Sequence, residues 1–372
     1  MEFTFTPEQA MLRDSVRAFV ADKVPSSRVR ELMATETGFD EALWLETAQL
    51  GWPAMHIPEE YGGAGFTHTE LAIVLEETGA ALLPSPLFSS IVLGANLVLL
   101  AGSQEQKKAL LPEVAAGERR LAVAVVDEGG NWDAETVATT ASAAAGGFRL
   151  DGVKSFVVDG HSADTLIVVA RSDEGSLDLF AVEATATGVA RTRLETLDMT
   201  RKQARVAFDD VFVPESGRLG GAGGDVLDRF YDVAAVGLAV ECVGAAQRCL
   251  DMSVDYAKSR KQFGRAIGSF QAVKHMCADM LVAVESARSA AYHAAWAASA
   301  SAVELPAAAA IAKAHCVDAF FGVAAATIQV HGGIGFTWEH DAHLYFKRAK
   351  ASQLMFGEAG AWRALLAERI GL

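Results

Sequence analysis

The sequence predicts an α+β fold in which helices flank a strand-rich middle. Apolar residues recur at helical spacing up to about residue 118. They give way to short apolar runs bounded by Gly, Asp and Ser, and long alanine-rich helical stretches then run to the end. The expected division is 1–118, 119–220 and 221–372. A chain of 372 residues exceeds what one compact domain usually needs. Its composition, 51% hydrophobic and 21% charged, excludes a disordered or collagen-like protein and suffices for a sizeable core.

Thr6, Pro7 and Gln9 make a capping-box pattern, and Leu12, Val16, Phe19 and Val20 then share one helical face. Pro25 is expected to end that helix. A second helix is expected from about Asp40 to Gln49, with Leu43 and Leu50 inward. Three glycines within Gly62-Gly63-Ala64-Gly65 make Pro58–Gly65 a loop. Thr69–Ala81 reads as helix, Ile91–Ala101 as an apolar helix, and Gln104–Leu111 as a short one stopped by Pro112. Strands are expected at Leu121–Val126, Phe148–Leu150, Ser155–Val158, Thr165–Ala170, Leu177–Val182, Ala204–Phe208 and Val211–Val213. Their spacing suits a β-barrel or sandwich. Arg191, Arg193, Arg201, Lys202 and Arg205 read as a solvated strand face or a phosphate site. Gly217–Gly224 looks like a connector. Helices follow at about Asp225–Arg260, Gln271–Ala300 and Pro306–Val330, with Gly332-Gly333-Ile334-Gly335 as a break and a last helical stretch from about His340.

The net charge is −15. That balance opposes general nucleic-acid binding, and no polybasic run exists to hold an anionic membrane. Cys242, Cys249, Cys277 and Cys316 form no C-x-x-C pair and read as buried, reduced thiols. Met1–Thr4 opens no signal-peptide pattern, and charges interrupt the longest apolar stretches, so no membrane span is expected. A soluble, cytoplasmic protein is the resulting expectation.

No glycine cluster follows a strand and opens a helix, which argues against a Rossmann or P-loop site. Gly332-Gly333 follows a helix; it either stops that helix or lets bare backbone amides approach a pyrophosphate. Glu339, His340, Asp341 and His343 lack metal-site spacing, and no metal is expected; acids at a helix start favour its dipole. No G-x-S-x-G nucleophile motif is present. Between Tyr256 and Gln271 a basic cluster meets a Phe263-Gly264 turn before a new helix opens. Arg260 there is either a diphosphate donor or part of a structural turn.

This stretch, Tyr256-Ala257-Lys258-Ser259-Arg260-Lys261-Gln262-Phe263-Gly264-Arg265-Ala266-Ile267-Gly268-Ser269-Phe270-Gln271, closely resembles the Y-A-x-x-R-x-x-F-G-x-x-I-x-x-F-Q signature of the flavin-dependent acyl-CoA dehydrogenase family. Gln329–Phe336 and Pro58–Gly63 are similar to two further family runs. The resemblance implies a helical N-terminal domain, a β-barrel-like middle domain and a C-terminal four-helix bundle. It also implies FAD between the last two, an acyl-CoA thioester substrate, an acceptor like electron-transfer flavoprotein, and a homo- or hetero-tetramer. Carried over, Arg260, Gln262, Phe263, Gln271, Gln329 and Gly333 reach the FAD of a neighbouring subunit, and Gly332 is a further cofactor-binding position. The implied chemistry is removal of an α-proton with hydride transfer from the β-carbon to the flavin.

Two departures bear on that chemistry. Past the run Lys347-Arg348-Ala349-Lys350, alignment places Phe356 where the family has its catalytic Glu, with Glu358 two residues on. The alternative base position of some members falls on Ala234. The family's T-E-P-x-x-G-S-D run reads Val126-Asp127-Glu128-Gly129-Gly130-Asn131-Trp132-Asp133, and its W-x-T-N turn reads Phe156-Val157-Val158-Asp159. Phe156 is expected to cover the flavin ring, whereas Val158 offers it no side-chain hydrogen bond. Glu241, on an otherwise apolar face, and Glu358 are the candidate displaced bases. Three readings follow: a dehydrogenase with a displaced base, a subunit completing a partner's FAD site, or a flavin-free scaffold of the same fold.

Overall fold

Thr6 caps α1 (Pro7–Lys23): its hydroxyl accepts from the Gln9 N–H at 3.2 Å, and the Gln9 side chain accepts from the Thr6 N–H at 3.1 Å. The computed structural model describes residues 5–221 and 224–372. The expectations made on Met1–Thr4, and on residues 222–223 of the connector, fall outside the described residues. Pro25 ends α1, but a second helix, α2 (Ser26–Met33), opens at once; its eight residues are too few to carry a periodic signal. In α3 (Glu41–Gln49), Asp40 caps the Leu43 N–H at 2.9 Å. Leu50 is 50% exposed, contrary to expectation, because it lies past the last turn; Trp44 is buried instead, donating to Gly117 O at 2.7 Å.

α4 (His68–Ala80) follows the glycine loop. A π-helical segment, Phe88–Ala95, runs directly into α5 (Asn96–Ala101). α6 (Gln104–Ala115) continues through Pro112, correcting the expected stop. Pro112 and Lys108, the residue whose carbonyl loses its donor, both lie on the exposed face, where water replaces the missing bond.

One eight-stranded sheet follows: β1 (Leu121–Ala124), β2 (Thr140–Ala144), β3 (Gly147–Val158), β4 (Thr165–Ser172), β5 (Leu177–Glu183), β6 (Val189–Arg193), β7 (Gln203–Pro214) and β8 (Arg218–Gly221). Neighbours run β6-β7-β3-β2-β4-β5-β8, with β1 pairing β4. The sheet's buried core includes Leu150, Leu166, Phe180, Val206 and Val211. Two expected pairs of strands fuse. In β3 the fusion passes through Gly152, whose φ of +146° and 2.8 Å approach of a Cβ to Thr139 Cα leave room only for glycine. The unpredicted strands β2, β6 and β8 are short and weakly apolar; β8 takes up part of the expected connector. Arg201 and Lys202 are buried rather than solvated: Arg201 lies over the Phe88 ring and Lys202 Nζ donates to Met33 O at 2.6 Å.

The remaining helices are α7 (Gly224–Ser259), α8 (Gln271–Ala300), α9 (Leu305–His331), α10 (Ala342–Leu354) and α11 (Ala359–Arg369). The expected last helix is thus two, split at residues 355–358. The chain forms two compact units: one of Met1–Arg30, His68–Leu83 and Ala235–Leu372, the other of Glu31–Thr67 and Pro84–Ala234. In the first, α4 crosses α7 at two glycines. A Cβ on Gly244 would overlap the Glu76 carbonyl, and one on Gly79 would overlap that of Glu241. Around the crossing, Glu76 accepts from Arg288 and from Tyr292 OH, and Arg288 Nη2 donates to Gln247. α7 and α9 are long and apolar enough to cross a bilayer, against expectation, but 83% and 56% of their apolar windows are buried in the fold. Cys277 is half-buried, not buried as expected; none of the four cysteines forms a disulfide.

Two fully buried lysines set a pH dependence. Lys154 Nζ donates to Val125 O at 2.8 Å and pairs with Asp127 at 3.0 Å, and Lys313 sits among backbone carbonyls. Burial lowers each to about 8 from 10.5. Between those values the unfolded chain binds more protons than the fold, so stability rises with pH. Each proton contributes a slope of up to about 1.4 kcal/mol per pH unit. The urea midpoint is expected to climb from pH 8 to 10, less steeply in Lys313→Met; a falling midpoint over this range would contradict the assignment.

Candidate functional site

The family-signature residues form a hairpin at one end of the first unit. Strands β9 (Lys261–Gln262) and β10 (Arg265–Ala266) pair antiparallel, and Phe263 and Gly264 make the two-residue turn with φ of +49° and +79°. Positive φ at both positions is the twist-matched hairpin geometry, in which Phe takes a place suited to Asn or Gly. The closing bonds are Arg260 N–H to Tyr256 O and Ile267 N–H to Arg260 O, each 2.8 Å. Phe270 supports the hairpin from beneath, with Arg265 over its ring at 4.1 Å and Phe263 edge-on at 6.1 Å. Arg260, Gln262 and Gln271 are exposed, and Phe263 is 92% exposed.

α9 ends beside this hairpin. His331 stacks on Tyr256 with centroids 4.4 Å apart, which brings Gln329, Gly332 and Gly333 to the same end of the unit as Arg260. All three are exposed, and a Cβ on either glycine meets nothing within 4 Å. Gly332 has φ +62°, and the turn after it carries Phe336, 82% exposed. The result is an open cradle of bare amides, three side-chain amides and one guanidinium, a donor set that fits a diphosphate.

Phe356 sits in the turn between α10 and α11, 5% exposed, with φ +60°. Two donors fix this turn. Trp362 Nε1 donates to Phe356 O at 2.8 Å, and Lys313 Nζ reaches Ser352 O, Gln353 O and Gly357 O at 3.1–3.4 Å. Lys313 thereby satisfies the carbonyls that α10 leaves open at its end. Glu358 is the exposed N-cap residue of α11, and its carbonyl accepts from Ala361 and Trp362. Glu241 is half-buried in α7, beside Gly79 of α4.

The second unit holds the other expected positions. Phe156 is exposed at the end of β3 with φ +56°; Val158 is buried. Asp159, φ +53°, accepts from Ser89 Oγ at 2.7 Å, and its N–H donates to Lys202 O at 3.0 Å. Asp127 pairs with Lys154, and Trp132 O accepts from Tyr231 OH at 3.0 Å. Apolar Val158 thus stands where the resemblance implies a side-chain donor to a flavin, and Trp132 where it implies a serine. Among the described residues, six non-glycine residues have positive φ, and four of them (Phe156, Asp159, Phe263 and Phe356) lie at these positions. Such backbone costs about 1–2 kcal/mol per residue and persists only where the surrounding structure holds it.

Lys313, Lys154 and the buried Arg201 and Lys202 were not foreseen. The available signal was a lone lysine in an apolar run, as at Ala312-Lys313-Ala314, which burial makes costly unless its ammonium is fully bonded.

The sequence matches the acyl-CoA dehydrogenase N-terminal domain over residues 6–118, the middle domain over 122–211 and the C-terminal domain over 221–371. The chain belongs to the acyl-CoA dehydrogenase family, flavoprotein oxidoreductases of lipid metabolism. It is 38% identical to acyl-CoA dehydrogenase IpdE2 of Mycobacterium tuberculosis, over 93% of this chain and 92% of that protein. It is 27% identical, over 95% of each chain, to the caffeyl-CoA reductase-Etf complex subunit CarC of Acetobacterium woodii. The ChsE4-ChsE5 complex of M. tuberculosis has a chain that superimposes with a TM-score of 0.91 at 30% identity, covering 100% of this chain and 99% of that one.

Proposed function

We propose that this chain is one subunit of a mixed acyl-CoA dehydrogenase assembly, supplying half of an FAD site whose catalytic carboxylate belongs to another subunit. The observation that carries the reading is Phe356: a buried phenyl ring fills the place of the family's base, while the donors for a neighbour's cofactor stand exposed. FAD, when bound, supplies the acceptor for the hydride that leaves the acyl β-carbon. Arg260 would hold the diphosphate by charge-assisted hydrogen bonding. The Gly332-Gly333 amides and the side chains of Gln262, Gln271 and Gln329 would orient it, and Phe263 would exclude water at the rim. Phe156 would cover the ring of a flavin bound to this chain itself, where Val158 adds shape without a side-chain bond. The α-proton must go to a carboxylate outside residue 356, since a phenyl ring accepts none.

The complex named ChsE4-ChsE5 supports a mixed assembly, and the Etf complex of the caffeyl-CoA reductase subunit supports an acceptor like electron-transfer flavoprotein. A cytoplasmic setting, an acyl-CoA thioester substrate and domain boundaries near 118 and 220 belong to the same reading. A second reading keeps the base in this chain. Glu358, two residues from Phe356 and free of any side-chain capping bond, favours it; Glu241 is the other candidate, and Glu→Gln at each position decides.

The test is FAD content after co-expression with the neighbouring gene's acyl-CoA dehydrogenase-like product. A yellow assembly is expected. Arg260→Ala removes a charge-assisted contact worth about 1.5–3 kcal/mol, roughly a ten- to hundredfold loss of FAD affinity. An assembly that forms and takes up no FAD overturns the proposal.

A further inference from the structure

We propose that His331, His340 and His343 form a proton-operated latch: protonation frees the Gly332–Trp338 turn from the end of the helical unit. The hydrogen bonds fix one nitrogen of each ring. His331 Nδ1 lies 2.8 Å from Thr327 O; a carbonyl only accepts, so Nδ1 carries a hydrogen. His340 Nδ1 accepts from the Ala342 N–H at 3.1 Å, the first amide of α10, so that nitrogen must stay bare. His343 Nε2 donates to Trp338 O at 3.1 Å, and its buried Nδ1 has no hydrogen-bond partner.

The rings are also in contact. His331 and His340 centroids are 4.3 Å apart, His331 stacks on Tyr256, and His343 stacks on Trp338 at 4.7 Å. The charged groups facing them are mostly cations. Arg30, from α2, stands 3.4 Å from His343 Nε2, and Lys347, from α10, lies 4.7 Å over the Trp338 ring. A facing carboxylate, Asp341, is bound by Arg30 through Nε at 3.0 Å and Nη2 at 2.9 Å. A proton on His340 therefore breaks the bond to Ala342 N–H, puts a cation at a helix N-terminus, and sets it against the His331 ring. A proton on His343 creates a buried N–H with no acceptor beside Arg30 and Lys347.

Burial, the first cause for all three, lowers their proton affinity below the usual histidine range. The opened turn regains ordinary histidines near 6.5. Opening therefore takes up protons, and falling pH drives it through the region below 6.5. The turn carries Phe336 and Trp338 exposed beside the Gly332-Gly333 cradle. Resting on the subunit reading above, its release at low pH detaches this chain from the partner whose FAD it completes.

Hydrogen–deuterium exchange of the full chain tests the latch without any partner. Peptides spanning residues 330–345, corrected for intrinsic exchange, are expected to open at least tenfold more at pH 5.5 than at pH 7.5. Peptides from the buried middle of α9 should not change. His340→Asn keeps an acceptor for the Ala342 N–H but takes no proton in this range, and is expected to cut the rise several-fold. An unchanged exchange rate, or an equal rise in His340→Asn, overturns the latch. A fluorescence titration of wild type against Trp338→Phe gives an independent reading of His343, expected to titrate below 6.5; titration at or above that value also overturns it. Light scattering of the co-expressed assembly at both pH values tests the consequence. Dissociation at pH 5.5 supports the link to the partner; opening with an intact assembly keeps the latch and overturns the placement of this turn at the subunit interface.

Discussion

Phe356→Glu is expected to raise acyl-CoA oxidation by the purified, FAD-loaded chain about 10²–10⁴-fold, the usual contribution of a general base. The wild-type chain alone should turn over only at the residual rate, and a partner subunit carrying the Glu should restore it. The turn is already fixed for such a residue. Lys313 and Trp362 hold the carbonyls of Gly357 and Phe356, so a new side chain inherits the same backbone. Burial there raises a carboxyl group's pKa and suits it to accept a proton from a weak carbon acid. The measurement is a dye-coupled assay over short, long and ring-bearing acyl-CoA thioesters. Fast turnover by the wild-type chain on its own would defeat this account and return attention to Glu241 and Glu358.

Gly244→Val should be the most damaging single change to the fold. Its Cβ would overlap the Glu76 carbonyl and stand 3.0 Å from Ala80 N, so α4 and α7 must separate. Separation also pulls Glu76 from Arg288 and Tyr292. Overpacking against backbone stands at the upper end of such effects, about 3 kcal/mol or more. Gly322→Ala is the control: its Cβ meets nothing within 4 Å on α9, and the isolated chain should gain up to about 1 kcal/mol in helix propensity. Urea denaturation compares the two variants. Similar midpoints would show that the crossing does not depend on bare backbone.

Much of this was legible in the sequence wherever a local rule set the outcome. The capping box at Thr6, the loop at Gly62–Gly65, the Phe263-Gly264 turn and the three long helices all follow from neighbouring residues. What escaped was decided by distant partners. β8 is too glycine-rich to read as a strand, yet Asp178 and Leu179 of β5 pair with it. Pro112 passes through a helix because its face is wet. Leu50 turns outward because one more residue of helix did not form. The site divides the same way: Arg260 and Gly333 announce themselves by motif. Lys313, which fixes the turn at Phe356, lies over 40 residues from that turn and shows only as a charge in an apolar run.

The first unit is assembled from three separated stretches, the last of which ends at Leu372. During synthesis α1 and α4 leave the ribosome early and wait for α7, α8 and α9. Between Leu83 and His331, where α9 ends, lie 248 residues (331 − 83). At about 5–20 residues per second that interval is roughly 12–50 s. For this time α1 and α4, which pack on each other, lack the rest of their partners, while the strands, complete by Gly221, already have theirs. A nascent chain of this kind exposes apolar helix faces near its N-terminus, and truncations within α9 should aggregate through segments they leave untouched.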